Sequence, residues 1–426
     1  MHSVYWESID KNYMKVITFT PSLLGGTVRV ISSKSFAHRA LIIASMAQGE
    51  STIHDLPKSE DVDATKDALK HFGTTFEGDT IQTNHRNYDG EAVQCFASGS
   101  TLRMLIPYAM AQFETVKFTG IKRLFERPLD VYETLFKDQI KKIDAQHLQV
   151  FGPINTNIFE VDGSKSSQFI SGLLMMSPLL KKDVEIRVIK DETSSSYVNM
   201  TLDVMKQFGV HVEKCDGTYM IPKNQQYMPT TLSIEGDYSQ AAFFLVAGII
   251  GEKIHVTGLK QVSLQGDYAI IDILQSMGGK VQWLEEGWLA LPSVTHGITI
   301  DLDDIPDLGP ILMILAGLSK GTTTFLNVDR LTYKESDRLH TMITILSTLG
   351  VSTYYKNNVL EVTGVSTFKG NLKLSSQNDH RIAMSIAIAS IRAKGEIILE
   401  DADAINKSYP QFYEEFQSIG GIIHDN

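Results

Sequence analysis

The sequence predicts an α/β (or α+β) protein assembled from six copies of one βαβ-type unit. Three observations carry this. A helix-ending signal recurs at a near-constant spacing, an apolar helix with a polar cap recurs in the same frame, and β-like runs fall between the helices.

The helix-ending signal is a pair of spaced apolar residues followed by Gly. It reads Leu69-Lys70-His71-Phe72-Gly73, Met205-Lys206-Gln207-Phe208-Gly209, Leu274-Gln275-Ser276-Met277-Gly278, Leu346-Ser347-Thr348-Leu349-Gly350 and Phe416-Gln417-Ser418-Ile419-Gly420. A worn copy, Leu135-Phe136-Lys137-Asp138-Gln139, has Gln in the Gly slot. A helix that ends in a left-handed residue favours Gly there. Positions 73, 139, 209, 278, 350 and 420 are spaced by 66, 70, 69, 72 and 70 residues, so six units of about 71 account for all 426. That period is too long for a solenoid and suits a supersecondary unit.

Each unit also holds one helix that is apolar nearly all round, which marks it as buried. These helices are read from near Ala40, Leu102, Phe169, Ala241, Ile311 and Ile382. Their caps are Ser33-Lys34-Ser35, Ser98-Gly99-Ser100, Ser166-Ser167-Gln168, Gly236-Asp237-Tyr238-Ser239, Asp307-Leu308-Gly309-Pro310 and Asn378-Asp379-His380. Ser, Asp and Asn satisfy the free N–H groups of a helix start. The caps also carry an unusual ionisable load: Lys34, Arg39, Arg103, Asp307, His380 and Arg381. Helix N-termini combine free donors with partial positive charge and so suit anions. If the units of a domain share one orientation, several N-termini point at one place, a site for a multiply charged anion such as a phosphate ester.

The β-like runs are Thr115–Phe118, Val184–Ile189, Lys253–Val256, Thr322–Leu326 and Glu396–Leu399. The length allows two or three domains, each able to bury a core. No linker or low-complexity tract divides the chain, so the boundary is expected within the repeat frame, after three units.

Composition narrows the partners. With 43% hydrophobic and 21% charged residues the chain reads as soluble and globular. Its net charge of −11 argues against nucleic acid, while leaving room for a local cationic pocket. Two cysteines, Cys95 and Cys215, exclude a disulfide scaffold and a Cys-rich metal site, and each is read as a buried apolar thiol. Met1 to Lys15 lacks the continuous apolar core of a signal peptide. No apolar run reaches the roughly 18 residues of a membrane span. The expected compartment is the cytoplasm.

Four clusters carry candidate chemistry. Lys34-Ser35-Phe36-Ala37-His38-Arg39 places two cations at one helix start. Ser98-Gly99-Ser100-Thr101-Leu102-Arg103, with Glu126-Arg127-Pro128, offers close backbone approach and planar donor forks. Tyr333-Lys334-Glu335-Ser336-Asp337-Arg338 opens another helix, and Asn378-Asp379-His380-Arg381 enters a wholly apolar one, where unpaired burial is costly. Gly163-Ser164-Lys165-Ser166-Ser167 lacks the spacing of a P-loop.

Taken in order, these clusters resemble the 5-enolpyruvylshikimate-3-phosphate synthase family. The resemblance is carried by Lys34-Ser35-x-x-x-Arg39-Ala40, Ser98-Gly99-Ser100-x-x-Arg103, Thr119-Gly120 with Glu126-Arg127-Pro128, and Val161-Asp162-Gly163-Ser164 with Ser166-Ser167-Gln168-Phe169. It continues through Glu235-Gly236-Asp237, Ile305-Pro306-Asp307, Lys334-Glu335-Ser336-Asp337-Arg338-Leu339, Asp379-His380-Arg381-x-Ala383-Met384 and Lys407-Ser408-Tyr409-Pro410. The set is collinear and spans almost the whole chain. It implies two domains of three βαβαββ units each, helix N-termini facing the cleft between them, and boundaries at 33–235 and at 1–32 plus 236–426. It also implies transfer of the enolpyruvyl group of phosphoenolpyruvate to the 5-hydroxyl of shikimate 3-phosphate by addition–elimination. The partners are those two small molecules, with no metal or organic cofactor, and the enzyme is expected to be a monomer.

Roles follow from the resemblance residue by residue. Asp307 is similar to the base toward the substrate hydroxyl, and Glu335 with Lys34 to the proton-handling pair. Lys34, Gly99, Arg127, Gln168, Arg338, Arg381 and Lys407 resemble the phosphoenolpyruvate ligands. Lys34, Ser35, Arg39, Ser166, Ser167, Gln168, Ser194, Tyr197 and Asp307 resemble the shikimate 3-phosphate ligands. Arg103, His380 and Lys334 belong at the site without an assigned role. Ala97, Ser195-Ser196 and Thr332 depart from the pattern, with Arg330 the nearest substitute for the Arg missing at 332. Two alternatives are the sister transferase that acts on UDP-N-acetylglucosamine and a non-catalytic phosphometabolite-binding homologue. The first uses a Cys in the loop that here reads Gly120 to Glu126 without one. The second would have lost Asp307, Glu335 or Lys34.

Overall fold

The computed structural model describes residues 15–190 and 194–425. The N-terminal stretch read above as no signal peptide lies outside them, apart from Lys15. The described strands form six four-stranded mixed sheets, all on one plan. The second unit shows it within one continuous stretch. Strand Val93–Gln94 leads into helix Gly99–Gln112, then strand Thr115–Thr119, helix Asp130–Phe136, and the strands Ile140–Lys142 and His147–Phe151. The first two strands pair in parallel with Val93 opposite Phe118. The last lies antiparallel to the second with Thr115 opposite Phe151. This is a βαβαββ unit, and the units spanning Ile158–Ile221 and Thr299–Thr363 repeat it.

The other three units borrow strands from afar. Thr231–Ser233 pairs in parallel with Gly49–His54. Gly26–Arg29 pairs in parallel with Ile254–Thr257. Ile17–Thr20 lies between Ile397–Glu400 and Ile422–Asp425. A bridge between Ser32 and Gly236 lies where the chain passes out and back. Two apolar cores result. One draws on residues between Phe36 and Ile234, the other on residues from Ile17 to Val30 and from Tyr238 to Ile419.

The six apolar helices are Lys34–Met46, Gly99–Gln112, Ser167–Met176, Tyr238–Ile250, Gly309–Ala316 and His380–Ser390. Every residue of Tyr238–Ile250 and Gly309–Ala316 is buried. Five helices are capped as expected. Ser33 accepts from the Phe36 N–H, Ser98 from Thr101, Ser166 from Gln168, Asp237 from Gln240 and Asp379 from Arg381. The sixth is different. Asp307 sits in a 3₁₀ turn, Pro306–Leu308, and the cap position falls on Leu308, which makes no side-chain cap bond. The Asp307 carboxylate is thereby left for other partners.

The five unit-ending glycines all adopt positive φ, from +84° at Gly209 to +105° at Gly420. In the worn copy the positive φ belongs to Lys137 at +46°, and Gln139 closes a short 3₁₀ turn. Cys95 is buried, as expected, and burial pushes its thiol up. Cys215 is exposed at the end of an edge strand, contrary to the sequence reading. No helix among the described residues is long and apolar enough to cross a membrane.

The contact between helices Gly99–Gln112 and Ser167–Met176 shows how packing reaches the site. A Cβ on Gly172 would lie 2.5 Å from the Tyr132 hydroxyl and 2.9 Å from the Arg103 carbonyl. Tyr132 Oη donates to Arg103 O at 2.8 Å and to Phe169 O at 3.2 Å. Gly172→Ala is therefore expected to lower stability by about 1–3 kcal/mol through overpacking. A denaturant-unfolding midpoint equal to that of the parent protein would show that this contact is slack.

Candidate active site

A cavity of about 600 Å³ gathers the N-terminal ends of the apolar helices. Lys34, Ser35 and Arg39 come from the first, Gly99, Ser100 and Arg103 from the second, and Ser166, Ser167 and Gln168 from the third. Ser194 and Tyr197 line it from helix Ser195–Gln207 and its cap. From the second core come Asp237, Asp307, Lys334, Glu335 and Arg381, and Arg127 enters from the loop after Thr119.

Arg39, Arg103 and Lys34 are each held by hydrogen bonds. Arg39, 2% exposed, donates through Nε to Thr201 Oγ1 at 2.7 Å and through Nη2 to the Tyr197 carbonyl at 3.0 Å. Burial lowers its pKa to about 10. Arg103 donates to Gln168 Oε1 at 2.9 Å and to the Pro128 carbonyl at 2.8 Å. Burial and the neighbouring Arg127 push it down to about 9. Gln168 in turn donates to Ser100 Oγ at 2.9 Å. A Cβ on Gly99 would fall 2.6 Å from Arg127 Nη1, so only Gly lets that guanidinium lie over the helix start. Lys34 Nζ donates to Asp61 at 2.5 Å.

Opposite these groups lies a carboxylate cluster built on Arg338. This guanidinium, 1% exposed, donates through Nε to Asp379 at 2.8 Å, through Nη1 to Asp307 at 2.8 Å and through Nη2 to Glu335 at 2.6 Å. Asp307 also meets Arg381 at 3.0 Å and Lys334 at 3.3 Å. Burial alone would raise both acids. Arg381, Lys334 and Arg338 hold Asp307 well below the carboxylate range, and Arg338 with Arg127 does the same for Glu335. Burial, with Lys34 and Arg381, keeps His380 neutral.

The sequence-derived residues thus fall into two groups. Most line the cavity itself. Arg338, His380 and Lys407 lie behind its wall: Lys407 donates to the Asn378 carbonyl and, at 3.0 Å, to its side-chain oxygen. Sequence reasoning missed Asp61, which reads as an ordinary acid in the first turn of helix Glu60–Lys70. It also missed Asp267, which no motif marked as a site residue. Of the departures, Ala97 is half-buried. Ser195 N–H donates to Asp304 at 3.0 Å. Arg330 lines the cavity, donating to Ser194 Oγ at 3.0 Å and pairing with Asp303 at 3.0 Å.

Repeated mixed α/β units around a cation-lined cleft define the enolpyruvyl transferase class. The enolpyruvyl transferase NikO from Streptomyces tendae superposes with a TM-score of 0.76 at 15% identity, over 97% of this chain and 99% of that one. An EPSP synthase from Acinetobacter baumannii superposes with a TM-score of 0.80 at 22% identity, over 97% and 100%. The family model for EPSP synthase (3-phosphoshikimate 1-carboxyvinyltransferase) matches residues 19–416, and the chain belongs to that family. The 3-phosphoshikimate 1-carboxyvinyltransferase of Clostridium novyi (strain NT) is 40% identical, covering 97% of this chain and 99% of its own. That of Clostridioides difficile (strain 630) is 38% identical, covering 95% and 97%.

Asp267 yields a pH test. It is 1% exposed, accepts from Ser239 Oγ, and is pushed up to about 7 by burial and by Asp307. An unfolded Asp titrates near 3.9, so between about pH 4 and 7 only the folded chain holds this proton. Its stabilising contribution is complete below that window and is lost as pH rises through 7. Asp267→Asn keeps an acceptor for Ser239 and removes the titration. Its melting temperature is expected to gain on the parent's between pH 5 and pH 8; an unchanged gap would refute the assignment.

Proposed function

We infer that the cavity is where this chain carries out the reaction of its family, transfer of an enolpyruvyl group from phosphoenolpyruvate to the 5-hydroxyl of shikimate 3-phosphate with release of phosphate. The observation that carries the site assignment is the pair Asp307 and Glu335, both bound by Arg338 and held ionised by the cations around them, at one wall of a chamber that Lys34, Arg39, Arg103 and Arg127 line from the other side.

The chemistry needs a clamp for two phosphates and two carboxylates, a base for the hydroxyl and a proton donor for the methylene carbon. Asp307, ionised against its three cations, takes the hydroxyl proton as the oxygen bonds to the central carbon of phosphoenolpyruvate. The methylene carbon gains a proton and becomes a methyl group. Lys34 Nζ is the group with protons to give in that step. In the elimination the bond to the phosphate oxygen breaks, the phosphate leaves with the proton that Asp307 took, and the ionised Glu335 takes a proton from the methyl group and returns it to Lys34. Arg127, Arg381 and the frame of Gly99 and Gln168 hold phosphoenolpyruvate, with Lys407 behind the wall, bonded to Asn378. Ser35, Arg39, Ser166, Ser167, Ser194 and Tyr197 hold shikimate 3-phosphate, and Arg338 sets the carboxylates.

The proposal includes the division of the chain into 33–235 and 1–32 plus 236–426, supported by the two cores and by the bridge from Ser32 to Gly236. It also includes a monomer in the cytoplasm. Sedimentation at twice the chain mass would count against that state.

The activity test is phosphate release from the two substrates, with UDP-N-acetylglucosamine as the competing acceptor. Release with shikimate 3-phosphate alone is expected. Asp307→Ala and Glu335→Ala are each expected to cut kcat by at least about 100-fold, the scale of general acid–base catalysis, with substrate affinity changed far less. Near-parent turnover in either variant would remove its assigned role.

A further inference from the structure

Among the described residues, two sets of side-chain hydrogen bonds cross the mouth of the cavity between the two cores. One joins Ser194 and Ser195 to Arg330, Asp303 and Asp304. The other is made by a single residue outside the machinery described so far. Arg123 stands on the short helix Lys122–Glu126, just before Arg127. Its Nη2 donates to the carbonyl oxygens of Thr332 and Lys334, both at 3.3 Å. A 3₁₀ turn ends at Tyr333, and helix Arg338–Thr348 begins at 338, so Lys334 and Glu335 stand on irregular backbone between them. The two carbonyls flank Tyr333, whose side chain is 64% exposed and offers little anchorage. Arg338 fixes the Glu335 carboxylate, and the Arg123 bonds fix the backbone on which Lys334 and Glu335 stand.

We propose that Arg123 is a positioning residue, a clasp that ties the rim carrying Arg127 to the loop carrying Lys334 and Glu335 and so sets both for proton transfer. The proposal rests on the role given to Glu335 above. Its physical basis is that proton transfer tolerates little misplacement: an error of about 1 Å can cost on the order of 100-fold in rate. On that loop the bonds of Arg123 go to backbone carbonyls, so the sequence is free to vary at Thr332 and Tyr333 while the clasp persists. The side chain is 39% exposed and pairs loosely with Glu126 at 3.7 Å, so its removal leaves no buried cavity.

The test uses Arg123→Ala and Arg123→Lys in the full chain. For Arg123→Ala, kcat is expected to fall at least tenfold while the dissociation constant for shikimate 3-phosphate, measured by calorimetry, stays within twofold. Arg123→Lys, whose ammonium can donate to both carbonyls, is expected to recover most of the loss. Small-angle scattering with shikimate 3-phosphate and phosphoenolpyruvate together supplies a second readout. The parent protein is expected to contract, and Arg123→Ala to contract less. A kcat within twofold of the parent, an equal loss of affinity and turnover, or equal contraction of variant and parent would each overturn the clasp. A parent protein that releases no phosphate would instead refute the reading of the site, and the contraction measurement would still decide the clasp.

Discussion

The Arg338 guanidinium is the interaction on which the rest of the site depends. It is almost wholly buried, and three carboxylates converge on it: Asp379, Asp307 and Glu335. A buried charge without partners is costly, and so is each of these acids without a cation. Asp379 does double work, because the same carboxylate caps helix His380–Ser390 through the Arg381 N–H. The placement of Arg381 therefore passes through Asp379 to Arg338. The fold positions the catalytic candidates through one planar donor fork whose geometry an ammonium group cannot copy.

Much of the fold was legible because its signals are local. A left-handed helix end needs Gly, and a helix start needs an acceptor, so Gly73, Gly209, Gly278, Gly350 and Gly420 with Ser33, Ser98, Ser166, Asp237 and Asp379 exposed the sixfold repeat directly. Where local chemistry admits two solutions the reading slipped. In the worn copy Lys137 supplies the positive φ and Gln139, in the Gly slot, closes a 3₁₀ turn two residues on. Asp307 looked like a cap and is an ion-pair partner, because the intervening 3₁₀ turn moves the cap to Leu308. The borrowed strands Ile17–Thr20, Gly26–Arg29 and Thr231–Ser233 leave no local mark, since their partners lie far along the chain.

The site divides in the same way. Cations at helix starts stood out from the apolar sequence around them, and the ordered motifs gave them partners. Acids on polar surfaces did not stand out. Asp61 lies among Glu60, Asp61 and Asp63, three acids in one helix turn, and only the fold shows which of them reaches Lys34. Arg330 is one charge in a polar turn until Ser194 and Asp303 are seen beside it. Asp267 is an ordinary acid in sequence and becomes a buried one only when Ser239 and the Arg381–Asp307 cluster surround it.

An acidic protein with anionic substrates poses an electrostatic problem that this arrangement answers. Net charge sets the long-range field, and at physiological salt that field is screened beyond about 8 Å. Within the cavity, the helix N-termini and the guanidinium groups of Arg39, Arg103, Arg127 and Arg381 supply local positive charge. Those cations are not loose: Lys34 is paired with Asp61, Arg381 with Asp307, and Arg103 with Gln168 and a carbonyl. Internal partners keep each of these cations aimed at its place in the fold. A phosphate or carboxylate entering the cleft has to compete with those partners, so affinity is tempered while orientation is preserved. That balance favours binding interactions that strengthen as charge shifts during reaction, which is where they accelerate it.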